Sequence, residues 1–147
     1  MGREVRRVPA DWQHPKNERT GNYEPLHDGS KYKRDADEFM ATATSHGLQR
    51  AVEDFGGAPN ADDYMPAWPE EQRTHYMMYE DVTEGTPISP AFATPEELAR
   101  WLTDTGASAF GSMTGSYEGW LRVARGGFAV SMVMSQAGLQ SGVDGLT

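Results

Sequence analysis

Glycines and prolines punctuate this chain and mark where its regular elements stop. Gly47, Gly56-Gly57, Gly106 and Gly126-Gly127 interrupt it, as do prolines at 59, 66, 69, 87, 90 and 95. A glycine costs a helix interior about 1 kcal/mol against alanine, and a proline removes a donor and clashes with the preceding turn. From Ser30 to about Phe55 the period is helical: Phe39, Ala43, Gly47 and Ala51 recur every four residues, with Met40, Leu48, Val52 and Phe55 beside them. Gly47 is its weak point.

Pro69 sits where a first helical residue belongs, and Glu70 and Glu71 suit the positive end of a helix dipole. This pattern predicts a helix to about Tyr79. Ile88 to Phe92 reads as a short strand at a sheet edge, because prolines stand at 87 and 90. Thr94-Pro95-Glu96-Glu97 is the clearest helix start, with threonine as cap and Glu97 placed for a capping box. Leu98, Trp101 and Leu102 form its apolar face, and Gly106 ends it. Ser116 caps a further helix carrying Tyr117, Trp120, Leu121 and Ala124.

Phe128, Val130, Met132 and Met134 then alternate at strand period, Gln136-Ala137-Gly138 makes a turn, and Leu139 to Val143 returns as a partner strand. Arg3 to Val8 reads as another short strand. The sum is an α+β fold, with three or four helices packed on a small antiparallel sheet and a C-terminal β-hairpin. At 147 residues the chain has room for one core. The expected division is an extended basic segment, 1–30, before a single domain, 31–147.

Charge is distributed unevenly. Residues 1–34 carry eight Lys/Arg and five Asp/Glu, whereas residues 35–147 carry five and seventeen. Between Ala51 and Glu97 eleven acids meet one base, Arg73. Glu53, Asp54, Asp62, Asp63, Glu70, Glu71, Glu80, Asp81 and Glu84 are the candidate partner-binding residues of this tract. One reading is a solvated face that keeps the protein soluble. The other is a surface for a basic site on another protein, since a field of one sign attracts opposite charge and repels nucleic acid and anionic membranes. The basic front end (Arg3, Arg6, Arg7, Lys16, Arg19, Lys31, Lys33, Arg34) interleaves with Trp12, Tyr23 and Tyr32. That is a single-strand binder's composition. Interspersed acids and the anionic remainder disfavour nucleic acid, and favour internal pairing or a self-complementary oligomer contact.

Catalytic signatures are lacking. No cysteine exists for a disulfide, a thiolate metal site or a nucleophile. His14, His27, His46 and His75 lie far apart without ligand spacing. His14, beside Trp12 and before Pro15, reads as a packing or turn residue. Ser112 and Ser116 lack the flanking glycines of a nucleophile elbow. Asp62-Asp63 and Asp81 to Gly85 do not fit a calcium loop. Met77, Met78, Met113, Met132 and Met134 read as core filler. No apolar run approaches the ~20 residues that span a bilayer, and the N-terminus does not resemble a secretory signal. The expectation is therefore no cofactor, no metal, no enzyme activity and no membrane.

Several stretches together resemble a group of small uncharacterised tailed-phage and prophage proteins. They are Tyr79 to Pro90 (YEDVTEGTPISP), Thr94 to Leu102 (TPEELARWL), Gly106 to Phe110 (GASAF) and Tyr117 to Leu121 (YEGWL), with Arg7 to Pro15 (RVPADWQHP). The resemblance is best between Tyr64 and Leu121. It carries over no site residues and implies only context: a phage-borne gene acting in the host bacterial cytoplasm. The combined expectation is an acidic accessory protein that binds and blocks a host protein with a basic groove, in the manner of an anti-CRISPR or other anti-defence inhibitor. The alternative is a virion or assembly protein.

Overall fold

Strand β1 (Gly2–Val8) runs antiparallel to β2 (His75–Glu80), with Val5 opposite Met78 and Arg3 opposite Glu80. A computed structural model describes residues 2–81, 85–110, 113–126, 128–130, 132–135, 138–141 and 143, with side chains between 127 and 142 outside that description. The two strands form the middle of a four-stranded sheet. Strand β3 (Thr86–Pro87) flanks β2, and a strand at Phe128–Val130 flanks β1. The fold is α+β, as the sequence indicates.

The chain divides into two compact units, Met1–Pro25 with Trp68–Thr147, and Leu26–Ala67. Neither boundary falls at residue 30. The front end supplies a central strand of the sheet and is not an appended segment.

In the larger unit, helices α3 (Pro95–Asp104) and α4 (Tyr117–Gly126) pack together on one face of the sheet. The α3 helix starts as its sequence dictates: Thr94 Oγ1 accepts from the Glu97 amide at 3.1 Å. Gly106, at φ 66°, ends the turn that follows α3. Ser116 Oγ likewise accepts from the Gly119 amide at 3.1 Å. The core gathers Met78, Leu98, Ala99, Leu102, Ala109, Trp120, Val123, Ala124 and Val143. Gly115 lets the chain pass against Trp120, since a Cβ there would stand 2.8 Å from the indole nitrogen and from Val143. After the short strands β4 (Ser108–Phe110) and β5 (Met113–Thr114), the terminal strands are β6 (Phe128–Val130), β7 (Met132–Ser135) and β8 (Gly138–Ser141). The last two pair as a hairpin with Ser135 opposite Gly138. Gly138 thus lies in a strand, and the expected turn residues Gln136 and Ala137 lie outside the described residues.

One element contradicts its sequence pattern. The helix expected from Pro69 to Tyr79 is a single 3-10 turn, Glu70–Gln72, followed by strand β2. The strand is covered on both faces. Tyr76 and Met78 meet the helices, while Met77 and Tyr79 lie buried on the other side. A doubly covered strand has no polar alternation, so its apolar run mimics a helix. The strand expected at Ile88–Phe92 is shifted as well. Pairing occurs at Thr86–Pro87 and resumes only as one bridge between Phe92 and Tyr76.

In the smaller unit, α1 (Tyr32–His46) and α2 (Leu48–Phe55) form a helical hairpin. Gly47 breaks the predicted long helix at φ 93°, and Gly56 ends α2 in a left-handed conformation, φ 77°. Phe39 and the fully buried Ala51 face inward, and the Phe39 and Phe55 rings stand edge to face at 6.2 Å. The 60–66 loop joins the start of α1: Tyr64 donates to Asp35 Oδ2 at 2.7 Å. Burial first, then Asp35, pushes the Tyr64 phenol up to about 12, and the same bond holds Asp35 below its usual range.

Candidate functional site

The nine candidate carboxylates fall into different settings. Glu53 and Asp54 ride on α2, both exposed. Gln49 donates to Glu53 at 3.2 Å, and Arg50 Nε donates to both Asp54 oxygens at 3.1 Å. Asp62 and Asp63 stand exposed in the 3-10 turn Ala61–Asp63, where Asn60 accepts from the Asp62 amide. Neither carboxylate has an ion pair among the described residues. Glu70 and Glu71 belong to the larger unit, exposed, with Arg73 3.7 Å from Glu70. Glu84 lies outside the described residues.

Glu80 and Asp81 do something else. They are half-buried at the end of β2 and hold the N-terminal strand. Glu80 Oε2 is 3.6 Å from Arg3 Nη1, and Asp81 accepts from the Gly2 amide. Arg3 is 5% exposed and also donates to the Ser108 carbonyl at 3.0 Å. Burial pulls its guanidinium below the ordinary value, and Glu80 and Asp81 pull it back. Arg6 pairs with Glu4 at 2.9 Å and lies over the Tyr79 ring, while Arg7 lies over Tyr76. Part of the basic front end therefore neutralises the acidic body from within. These two carboxylates anchor the N-terminal strand.

The hairpin unit carries a feature that periodicity could not orient. Leu48, Val52 and Phe55 occur at i, i+4 and i+7, one face of α2, and are 64%, 44% and 46% exposed; Met40 on α1 is 60% exposed. Most large apolar side chains exposed among the described residues lie on this hairpin. The same stripe would have been core had a third element covered it. Its pattern signals burial without saying by what.

The histidines do not assemble a reactive centre. His14 is buried with Nδ1 2.9 Å from Tyr79 Oη, and Nε2 against the Glu24 carbonyl. A carbonyl only accepts, so Nε2 carries the proton and Nδ1 accepts from the Tyr79 hydroxyl. Tyr79 Oη accepts in turn from Trp12 Nε1 at 3.1 Å. Burial above all, with the Arg6 charge assisting, holds the imidazole below its ordinary value of 6.5 against the Glu24 bond. His14 is thus a neutral, fully engaged link in a core network. His27 packs at a tilt against Tyr64, ring centroids 5.1 Å apart, and the His75 ring bonds Thr74 Oγ1. No group of three possible metal ligands occurs among the described residues.

Above this network the larger unit opens into a groove of about 920 Å³, with Trp12, Lys16 and Tyr23 on one side and Ile88, Pro90 and Trp101 on the other. Among the described helices none is long and apolar enough to cross a membrane. Compared with known proteins, the chain matches no family model, no curated protein and no solved structure. Function therefore has to be argued from these surfaces.

Proposed function

We propose that this chain is a non-enzymatic binding protein that docks through the α1–α2 hairpin on a protein surface where apolar side chains are ringed by lysine and arginine. The observation that carries this reading is the exposed Leu48–Val52–Phe55 face on a unit whose Glu53, Asp62 and Asp63 lack a basic partner among the described residues. Apolar contact supplies affinity, and the carboxylates supply attraction and orientation. In the phage setting that the resemblance implies, the partner is a host protein with a basic groove, and occupation of that groove blocks it. The acidic surface narrows from nine candidate residues to those that stand exposed, and Glu80 and Asp81 leave the set.

The test is capture from host lysate by the tagged full chain at about 50 and 300 mM salt, across which screening shortens to below 10 Å. Two variants accompany it, L48S/V52S/F55S and E53Q/D62N/D63N. One partner should be held at low salt, released at high salt, and lost by both variants. A partner held equally by all three proteins would overturn the proposal. So would recovery of the chain as a stoichiometric part of purified particles, which is the virion reading.

A further inference from the structure

The groove of the larger unit is lined by polar groups that are engaged inside the protein, His14 and Ser89, and by a lysine, Lys16, that has no acid beside it among the described residues. On one side Pro15 to Glu24 forms a small looped hairpin. Lys16 pairs with Tyr23, Asn17 accepts from the Arg19 and Thr20 amides, and Gly21 turns the chain at φ 74°. The His14 bond to Glu24 ties down its base. On the other side, Ser89 accepts from the Met78 amide at 2.8 Å and donates to the Pro90 carbonyl, fixing the wall to β2. Both walls are therefore held before any ligand arrives, which is the usual condition of a small-molecule site, and the volume is within the ordinary range for one.

The chemistry of the rim points one way. Trp12, Tyr23 and Trp101 offer aromatic surface. Tyr23 is 40% exposed. Lys16 lies over the Tyr23 ring, 4.9 Å from its centroid, and has no carboxylate partner among the described residues. The Gln13 amide and Trp101 Nε1 likewise have no side-chain partner among them. In a chain of net charge −9, a lysine without an acid beside it, in a groove lined by three large aromatic side chains, is an anion contact awaiting its anion. We propose that this groove binds a planar aromatic or heteroaromatic small molecule bearing one carboxylate or phosphate, with the ring against Tyr23 and Trp101 and the anion on Lys16. The lining groups His14 and Ser89 are occupied internally, His14 by the Tyr79 hydroxyl and the Glu24 carbonyl and Ser89 by Met78 and Pro90, so the site holds its ligand without reacting with it. This inference does not depend on the hairpin surface.

Indole N–H resonances of the full-length chain report on the site during titration with AMP and with indole-3-carboxylate, each beside its uncharged counterpart, adenosine and indole. The expected result is movement of the Trp12 and Trp101 signals by at least one charged probe, with the uncharged counterpart about tenfold weaker, the value of one charge-assisted contact. AMP alone would identify phosphate as the recognised anion, and indole-3-carboxylate alone would identify carboxylate. K16Q and Y23A, both surface changes, should each weaken binding about tenfold while leaving the remaining spectrum intact. Stationary Trp12 and Trp101 signals with both charged probes, or equal affinity for charged and uncharged probes, would overturn the proposal. Undiminished binding by K16Q would do the same.

Discussion

The two units handle charge and apolar surface in opposite ways. In the sheet unit, the N-terminal cations turn inward: Arg3 meets Glu80, Arg6 meets Glu4 and stacks on Tyr79, and His14 and Tyr79 satisfy each other. Trp120 and Tyr79 are the largest of its fully buried side chains. In the hairpin unit, ion pairs such as Lys33–Asp37 and Arg50–Asp54 are local and solvated, and Leu48, Val52 and Phe55 of α2 are exposed. Exposed pairs of that kind contribute little to stability. One unit is organised for internal consistency, and the other keeps surface in reserve. Substitutions should therefore be costly for folding in the first and inexpensive in much of the second.

The sharpest way to separate them is Trp120→Ala, which empties the centre of the sheet unit and should cost about 3–5 kcal/mol, read from the urea unfolding midpoint. Gly29→Ala probes the hairpin unit at its one tight point. There a Cβ would stand 2.7 Å from the Pro66 carbonyl oxygen and closer still to that of Met65, both rigid backbone. A loss of roughly 2–3 kcal/mol is expected, with the change in helical circular dichroism following the hairpin. If Gly29→Ala were neutral, the contrast would extend to the whole smaller unit.

His14→Leu tests the internal network. It removes the imidazole acceptor of the Tyr79 hydroxyl, which keeps its bond from Trp12, and the imidazole donor to the Glu24 carbonyl, and should cost about 1–2 kcal/mol at pH 7.5. The pH dependence carries a definite sign. The folded imidazole is held below the ordinary 6.5. Stability from its neutral form is complete above that value, and falls as pH drops through it toward the folded value, because the unfolded chain takes up the proton more readily. Unfolding midpoints at about pH 7.5 and 5.5 should therefore differ less in His14→Leu than in the parent chain. The smallest effect belongs to L48S/V52S, two exposed side chains of α2, within about 1 kcal/mol by the same measurement. A large loss there would mean that the stripe supports the unit itself, and the contrast between the units would fail.

Much of the fold was legible because its signals were local. Thr94 and Ser116 cap the helices they precede, and Gly56 and Gly106 stop the chain where a left-handed residue is needed. Gly47 was visible as a weak point, and its backbone breaks the helix there. Residues 75–80 were misread because HYMMYE has no polar face to betray a strand, and nothing nearby in sequence tells it that β1 lies beside it. The candidate carboxylates were selected by sign alone. Only long-range pairing separates Glu80, bound to Arg3 from the other end of the chain, from Asp62 and Asp63, which stay in water.

Caps, stops, charge totals and the lack of cysteine are properties of neighbours along the chain or of composition, so the sequence alone determined the α+β character and the disulfide-free, acidic chemistry. Which apolar stripe is covered, which arginine is neutralised and which histidine is engaged depend on residues far apart in sequence, as Tyr79 is 65 positions from His14. Those matters were decided only by the tertiary structure, because desolvation and pairing energies act through space between groups whose meeting no local pattern records.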